Sequence, residues 1–282
     1  MTTVANITNI TEAGFTATYT GLIACLAKCD NLKLYPLINW YSSLYSDNPT
    51  ENIFYKYFDL INFGDKPANI INTVHMGTWE QLPIHRMHWR KILCATYSKY
   101  ISIKPAILAR IDTIFANIEN TIPKIGVHIR NTDRSIEPTW ASPGIQFVIN
   151  RLIKVLQDYK ESVGLYIASD NIPDVEFLKN TLTINAGILP KIIYIEDPNT
   201  VRSPNQTSVH GNLDSGLASV SKESKALSII TDIYSLARCE KVVRTCSNVT
   251  SMVGIISPTT VFIDVSLEFG KQSDEWLQVP GI

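Results

Sequence analysis

The chain has 282 residues, with 25 Lys and Arg against 26 Asp and Glu for a formal charge of −1. Hydrophobic residues make up 45% and charged residues 18%, which is ample apolar material for a packed core and not the composition of a disordered chain. A near-neutral balance argues against a protein that grips nucleic acid over a wide face, and no stretch approaches the ~20 apolar residues that span a bilayer.

The opening MTTVANITNITEAGF lacks the basic start and apolar run of a signal peptide. Five cysteines without a CxxC pair read as reduced, buried thiols, which fits a soluble, cytoplasmic protein. The first ~118 residues read as mixed and irregular, rich in Tyr and Asn. TGLIACLAKC has helical spacing at Leu22, Cys25, Leu26 and Cys29; LKLYPLI is strand-like, and ENIFYKYFDLI suggests a short helix. HMGTWEQLPIHRMHWRKIL carries His75, His85 and His88, which read as structural or acceptor-facing rather than metal-binding, since only Glu80 lies close.

From Lys124 the pattern becomes regular. Strands are expected at 124–130, 164–170, 191–197, 241–247 and 260–266, with helices near 144–160, 173–182, 222–238 and 248–257. Alternation of this length implies βαβ units and a parallel sheet, and near-continuous apolar strands imply that both sheet faces are covered. The stretch from about 197 to 221 is polar, aperiodic and loop-like.

In an open parallel sheet, ligands bind beyond the carboxyl ends of the strands. Those ends deliver His128 and Arg130 followed by Thr132, Asp133 and Glu137; then Ser169 and Asp170; then Glu196 and Asp197; then Thr245, Cys246, Ser247 and Asn248. In KIGVHIR, His128 and Arg130 share one face. The Arg is suited to bidentate phosphate binding, and the His can donate to a phosphate or a sugar hydroxyl. Asp133 is placed to orient the Arg or cap the loop. Ser247 stands at the N-cap of the next helix, whose first amides make an anion site with Asn248. Neither GxGxxG nor GxxxxGK[ST] occurs, so a nicotinamide site or a P-loop is disfavoured. Asp232 sits on the apolar stripe of its helix with no Lys or Arg at i±3 or i±4. Such a carboxylate needs a ligand or a distant donor, and it can accept two hydrogen bonds from the Watson–Crick edge of guanine.

GVHIRNTD with Glu137 behind it, then YIASDN, then DIYSLARCEKVVRTCSN resemble, in that order, the motifs of the α1,6-fucosyltransferases, including the nodulation-type bacterial enzymes, and more distantly the protein O-fucosyltransferases. The resemblance spans about 120–258, and Gly14, Leu22-Ile23-Ala24 and Asn39-Trp40 are similar to the family's N-terminal Gly, helix and Trp. It implies a two-domain glycosyltransferase-B-like α/β fold with a Rossmann-like parallel sheet in the C-terminal half. Residues 1–120 would form an N-terminal, acceptor-side α/β domain and 121–282 a C-terminal, Rossmann-like nucleotide-sugar-binding domain. It further implies an inverting, metal-independent enzyme moving fucose from GDP-fucose to an oligosaccharide or glycan. His128 and Asp232 would contact guanine, and Arg130 would hold the β-phosphate with Ser247 or Asn248. Asp170 would steady the Arg or the donor, and Glu137 would be the general base. The family's tandem Arg is here Arg130-Asn131, and its paired acid is Asp170-Asn171. Another donor, such as UDP-xylose or a further UDP-sugar, is therefore open, as is a non-catalytic glycan-binding relative. No DxD occurs, so a metal bridging the diphosphate has no ligand motif. Trp40, Trp79, Trp89 and Trp140 suit either core packing or stacking on sugar rings.

Overall fold

The computed structural model describes residues 2–9, 14–77, 87–130, 144–204, 220–245 and 247–265, with the side chains of Thr2 and of 87–89 outside that description. The first half runs β1 (Thr2–Thr8), α1 (Phe15–Leu32), β2 (Tyr35–Asn39), α2 (Ile53–Tyr57), β3 (Phe58–Leu60), β4 (Ile70–Gly77), α3 (Met87–Tyr100), β5 (Ile101–Ile103) and α4 (Pro105–Phe115). Strands β2, β1 and β4 form a parallel sheet in that order, and β3 pairs antiparallel with β5. This half is thus α/β, as the two-domain expectation has it, and more regular than the local pattern of the first ~118 residues suggests. β4 escaped detection because it reads IINTVHMG with its first six residues exposed, so no alternation marks a buried face.

The second half runs β6 (Lys124–Ile129), α5 (Ile145–Leu156), β7 (Val163–Ser169), α6 (Ile172–Ile184), β8 (Ile192–Ile195), α7 (Lys222–Leu236), β9 (Lys241–Arg244), α8 (Asn248–Ile256) and β10 (Val261–Asp264). These match the expected strands and helices to within a few residues. The strands are all parallel, in the order β10-β9-β6-β7-β8. Chain order reverses between β6 and β9, the switch point at which a doubly wound sheet opens a crevice.

Alternation decides what each face of this sheet does. Ile125, Val127, Ile129, Leu165 and Ile167 pack into a core with Val148, Ile149 and Leu152 of α5 and Leu178 of α6. Tyr166 and Ala168 point the other way, into a core shared with α7, α8 and the first half. Gly126 lies on that second face because a Cβ there would meet Leu236 Cδ2 at 2.7 Å.

That second core is continuous between the halves, from Ile7 and Tyr19 to Ile230 and Met252. Polar ties reinforce it. Tyr234 Oη lies 2.7 Å from Tyr97 Oη and 3.4 Å from Tyr19 Oη. Arg90 donates from Nε to Gly254 O (3.3 Å) and from Nη2 to Pro258 O (3.1 Å). A cation thereby meets the carbonyl end of α8, the electrostatically favourable end for it. Arg110 of α4 pairs with Asp197 beyond β8, and Lys56 with Glu223. Cys25, Cys29 and Cys239 are buried, and among the described residues no helix is long and apolar enough to cross a membrane.

Candidate functional site at the sheet switch point

The cavity of interest, about 320 Å³, opens where chain order reverses. Its floor is the exit of β6 (His128, Ile129, Arg130) and of β7 (Ser169, Asp170). One wall is the start of α8 with Ser247, Asn248 and Val249. A second wall is a single stripe of α7 at helical spacing: Lys225, Ser228, Ile229 and Asp232. The first half closes the mouth with Gly14, Phe15, Thr16 and Leu44.

Each group is held there for a physical reason. His128 is the last inward residue of β6, buried beside Ala168 of β7 and Arg244 of β9. Ser247 is the N-cap expected from the sequence, its Oγ accepting from Val249 N at 3.2 Å. This leaves the first amides of a nine-residue helix at the cavity, a ready anion site. The helix start is anchored from beneath. Arg244 Nη1 donates to Thr250 Oγ1 (3.0 Å), and Thr250 Oγ1 donates to Ser247 O (2.9 Å). Arg244 is fully buried and forms an ion pair with Asp264 at 2.8 Å. Neither residue stood out in the sequence, because a charge inside KVVRTCS carries no sign that the strand is central.

Asp232 has the distant donor its sequence context requires. Tyr166 Oη donates to Asp232 Oδ1 at 2.6 Å. Burial pushes the Asp232 carboxyl up to about 7, opposed by the Tyr166 hydrogen bond and the Arg202 charge and reinforced by Asp197 and Asp170. Arg202 is fixed by β7 itself, donating to Ser169 O (3.3 Å) and Ile167 O (3.1 Å). The described start of the long polar stretch runs beside the end of β7, where Ser203 N donates to Asp170 O at 2.7 Å.

The cavity therefore gathers His128, Arg130, Asp170, Asp232, Ser247 and Asn248. Thr245 is buried just beyond the end of β9 and is not among the lining residues. Thr132, Asp133, Glu137 and Cys246 lie outside the described residues, as do Trp79, Trp140, His85 and the side chains of His88 and Trp89. Trp40 is core, packed on Phe15 with ring centroids 4.8 Å apart. His75 sits exposed on β4, its Nδ1 3.3 Å from Asn6 Nδ2. Glu196 pairs with Lys179 away from the cavity. The sequence reading missed Tyr166 and Arg202; the signal for Tyr166 was its position two residues before Ala168 on the inward face of a wholly buried strand.

No family model and no curated protein matches the chain. Solved structures do. NodZ α-1,6-fucosyltransferase co-crystallised with GDP superposes with a TM-score of 0.59 at 17% identity, over 92% of this chain and 94% of that one. The selenomethionine form of fucosyltransferase NodZ from Bradyrhizobium gives 0.57 at 15%, over 92% and 94%. POFUT1 in complex with GDP gives 0.51 at 9%, over 93% and 98%. The chain shares the glycosyltransferase-B-like fold of these fucosyltransferases. At this identity the likeness concerns architecture, and chemistry has to come from the residues of this glycosyltransferase-B-like chain itself.

Proposed function

We propose that this protein is a cytoplasmic, inverting glycosyltransferase that moves fucose from GDP-fucose to a glycan acceptor without a metal. One observation carries the proposal. At the switch point a guanidinium (Arg130), a helix amide end (α8) and a partly buried carboxylate (Asp232) line one cavity. The first two are complementary to a diphosphate, and the third to the paired donors of guanine. Neighbours of the same fold were crystallised with GDP or GDP-fucose, which supports that assignment of the cavity.

In the proposed reaction the acceptor hydroxyl oxygen attacks the anomeric carbon from the face opposite the diphosphate. The anomeric C–O bond breaks, and its electron pair leaves with the β-phosphate. Arg130 and the α8 amides stabilise the growing negative charge, and Glu137 takes the acceptor's proton. Asp170 steadies the donor, and Asp133 orients Arg130. Residues 1–120 serve the acceptor and 121–282 the nucleotide sugar.

Arg130→Ala tests this directly. Transfer of labelled fucose from GDP-fucose falls by about 10²–10³-fold, the cost of one oxyanion-type donor, with the melting temperature unchanged and activity insensitive to chelator in the unmutated protein. Near-normal transfer by the variant overturns the assignment. Binding of glycan without release of GDP by the unmutated protein would instead establish a non-catalytic relative.

A further inference from the structure

We propose that Lys225 is a second cation on the donor's β-phosphate, facing Arg130 across the cavity and stabilising the departing diphosphate. The inference rests on the donor-site reading above and goes beyond it by giving a phosphate-side role to a residue of α7 that belongs to no motif.

Geometry comes first. Lys225, Ser228, Ile229 and Asp232 form one stripe of α7 along the cavity wall. The two ends of that stripe sit at different depths. Asp232 meets Tyr166, three residues before the end of β7. Lys222 and Glu223, in the first turn of α7, instead meet Asp47 and Lys56 of the first half. Lys225 therefore stands toward the mouth, about 10 Å along the helix axis from Asp232. A nucleotide with its base at Asp232 extends its phosphates away from that carboxylate, past Arg130 and the α8 amides and toward Lys225.

The charges around it single Lys225 out. It is partly buried, and among the described residues its ammonium makes no ion pair and no hydrogen bond. The neighbouring charges Lys222, Glu223 and Lys56 are all paired. Lys225 is also the fourth residue of α7, near the helix end whose partial positive charge disfavours a cation. Of the carboxylates lining the cavity, Asp232 is engaged by Tyr166, and Asp170 stands at the exit of β7. Two cations on opposite walls suit an anion bound between them. As the anomeric C–O bond breaks, the β-phosphate oxygen takes the electron pair and gains negative charge. The Lys225 ammonium keeps its proton and donates a hydrogen bond to that oxygen. The charge is larger in the transition state than in the bound sugar nucleotide, so the contact is stronger there.

The test compares Lys225→Met, which keeps much of the side chain and removes its charge, with the unmutated whole protein in calorimetric titrations with guanosine, GMP and GDP. Guanosine and GMP affinities are expected to stay as they are. GDP affinity falls on the order of 10- to 100-fold, the range for a hydrogen bond to a charged group, with the melting temperature preserved. Lys225→Arg, which restores the charge, recovers most of the loss. In transfer assays Lys225→Met lowers kcat by a similar or larger factor and changes the KM for GDP-fucose less. An equal loss for all three ligands would mean that Lys225 supports the fold or the base. A loss already complete with GMP would put it on the α-phosphate. Either result overturns the proposal, as does unchanged GDP affinity in Lys225→Met. If transfer still depends on Arg130 in those cases, the glycosyltransferase reading stands without Lys225. If the unmutated protein neither binds GDP nor transfers fucose, both readings fall.

Discussion

Asp232 illustrates how one buried side chain makes the stability of this protein depend on pH. Its carboxyl is raised by burial to about 7 in the folded state, against an ordinary value of 3.8. A carboxyl raised on folding contributes stability that is fully present below its unfolded value and is lost as pH climbs through the folded one. The empty protein therefore loses stability between about pH 4 and 7, the range set by those two values. Asp232→Asn removes that loss, so the variant melts higher than the parent near pH 8 and at nearly the same temperature near pH 4, measured without nucleotide by calorimetry. Equal melting temperatures near pH 8 would mean that the carboxylate is well solvated after all. Arg244 is the opposite case, a buried cation already balanced by Asp264 whose work is to hold the α8 start through Thr250.

At the scale of elements, the site depends on how closely α7 lies against β6. Gly126 sets that distance: a Cβ there would lie 2.7 Å from Leu236 Cδ2, 3.1 Å from Val242 Cγ2 and 3.3 Å from Cys239 Sγ. Gly126→Ala forces the end of α7 outward or Leu236 off its rotamer, a destabilisation of about 1–3 kcal/mol, read as a lower urea midpoint. Because Asp232 lies one turn before Leu236 on the same helix, the proposed GDP site is displaced too, and GDP affinity is expected to fall in the same variant. At Gly164 only Ile195 Cδ1, at 2.9 Å, comes close, and the next atoms lie at 3.4 and 3.6 Å, so fewer neighbours must give way and Gly164→Ala costs less. The strands and helices of this half were readable from the chain because each buried strand is a dense apolar run bounded by turns, and α7 and α8 begin at side-chain caps, Ser221 and Ser247.

At the scale of the molecule, the mouth of the cavity belongs to the first half and its floor to the second, so their packing against each other shapes the site. Tyr234 is the centre of the polar part of that junction, bonded to Tyr97 and near Tyr19. Tyr234→Phe leaves the Tyr97 hydroxyl buried without this partner, at a cost of about 1–3 kcal/mol measured by chemical denaturation, with the cavity-lining residues untouched. An unchanged midpoint would show that the junction relies on apolar contact alone.

Local periodicity carried the βαβ half, its strand exits and the Ser247 cap, because these depend on neighbours within a few residues. It also placed His128, Arg130, Asp170 and Asn248 at one rim, since parallel strands bring all carboxyl ends to the same side. What lay beyond the chain alone was set by contacts between distant segments. These include the parallel pairing of β1 with β4 across some 70 residues, the reversal of strand order that opens the crevice, and the reach of Tyr166 to Asp232. A hydrogen bond between residues 66 positions apart leaves no trace in spacing, because its geometry exists only once two elements have packed.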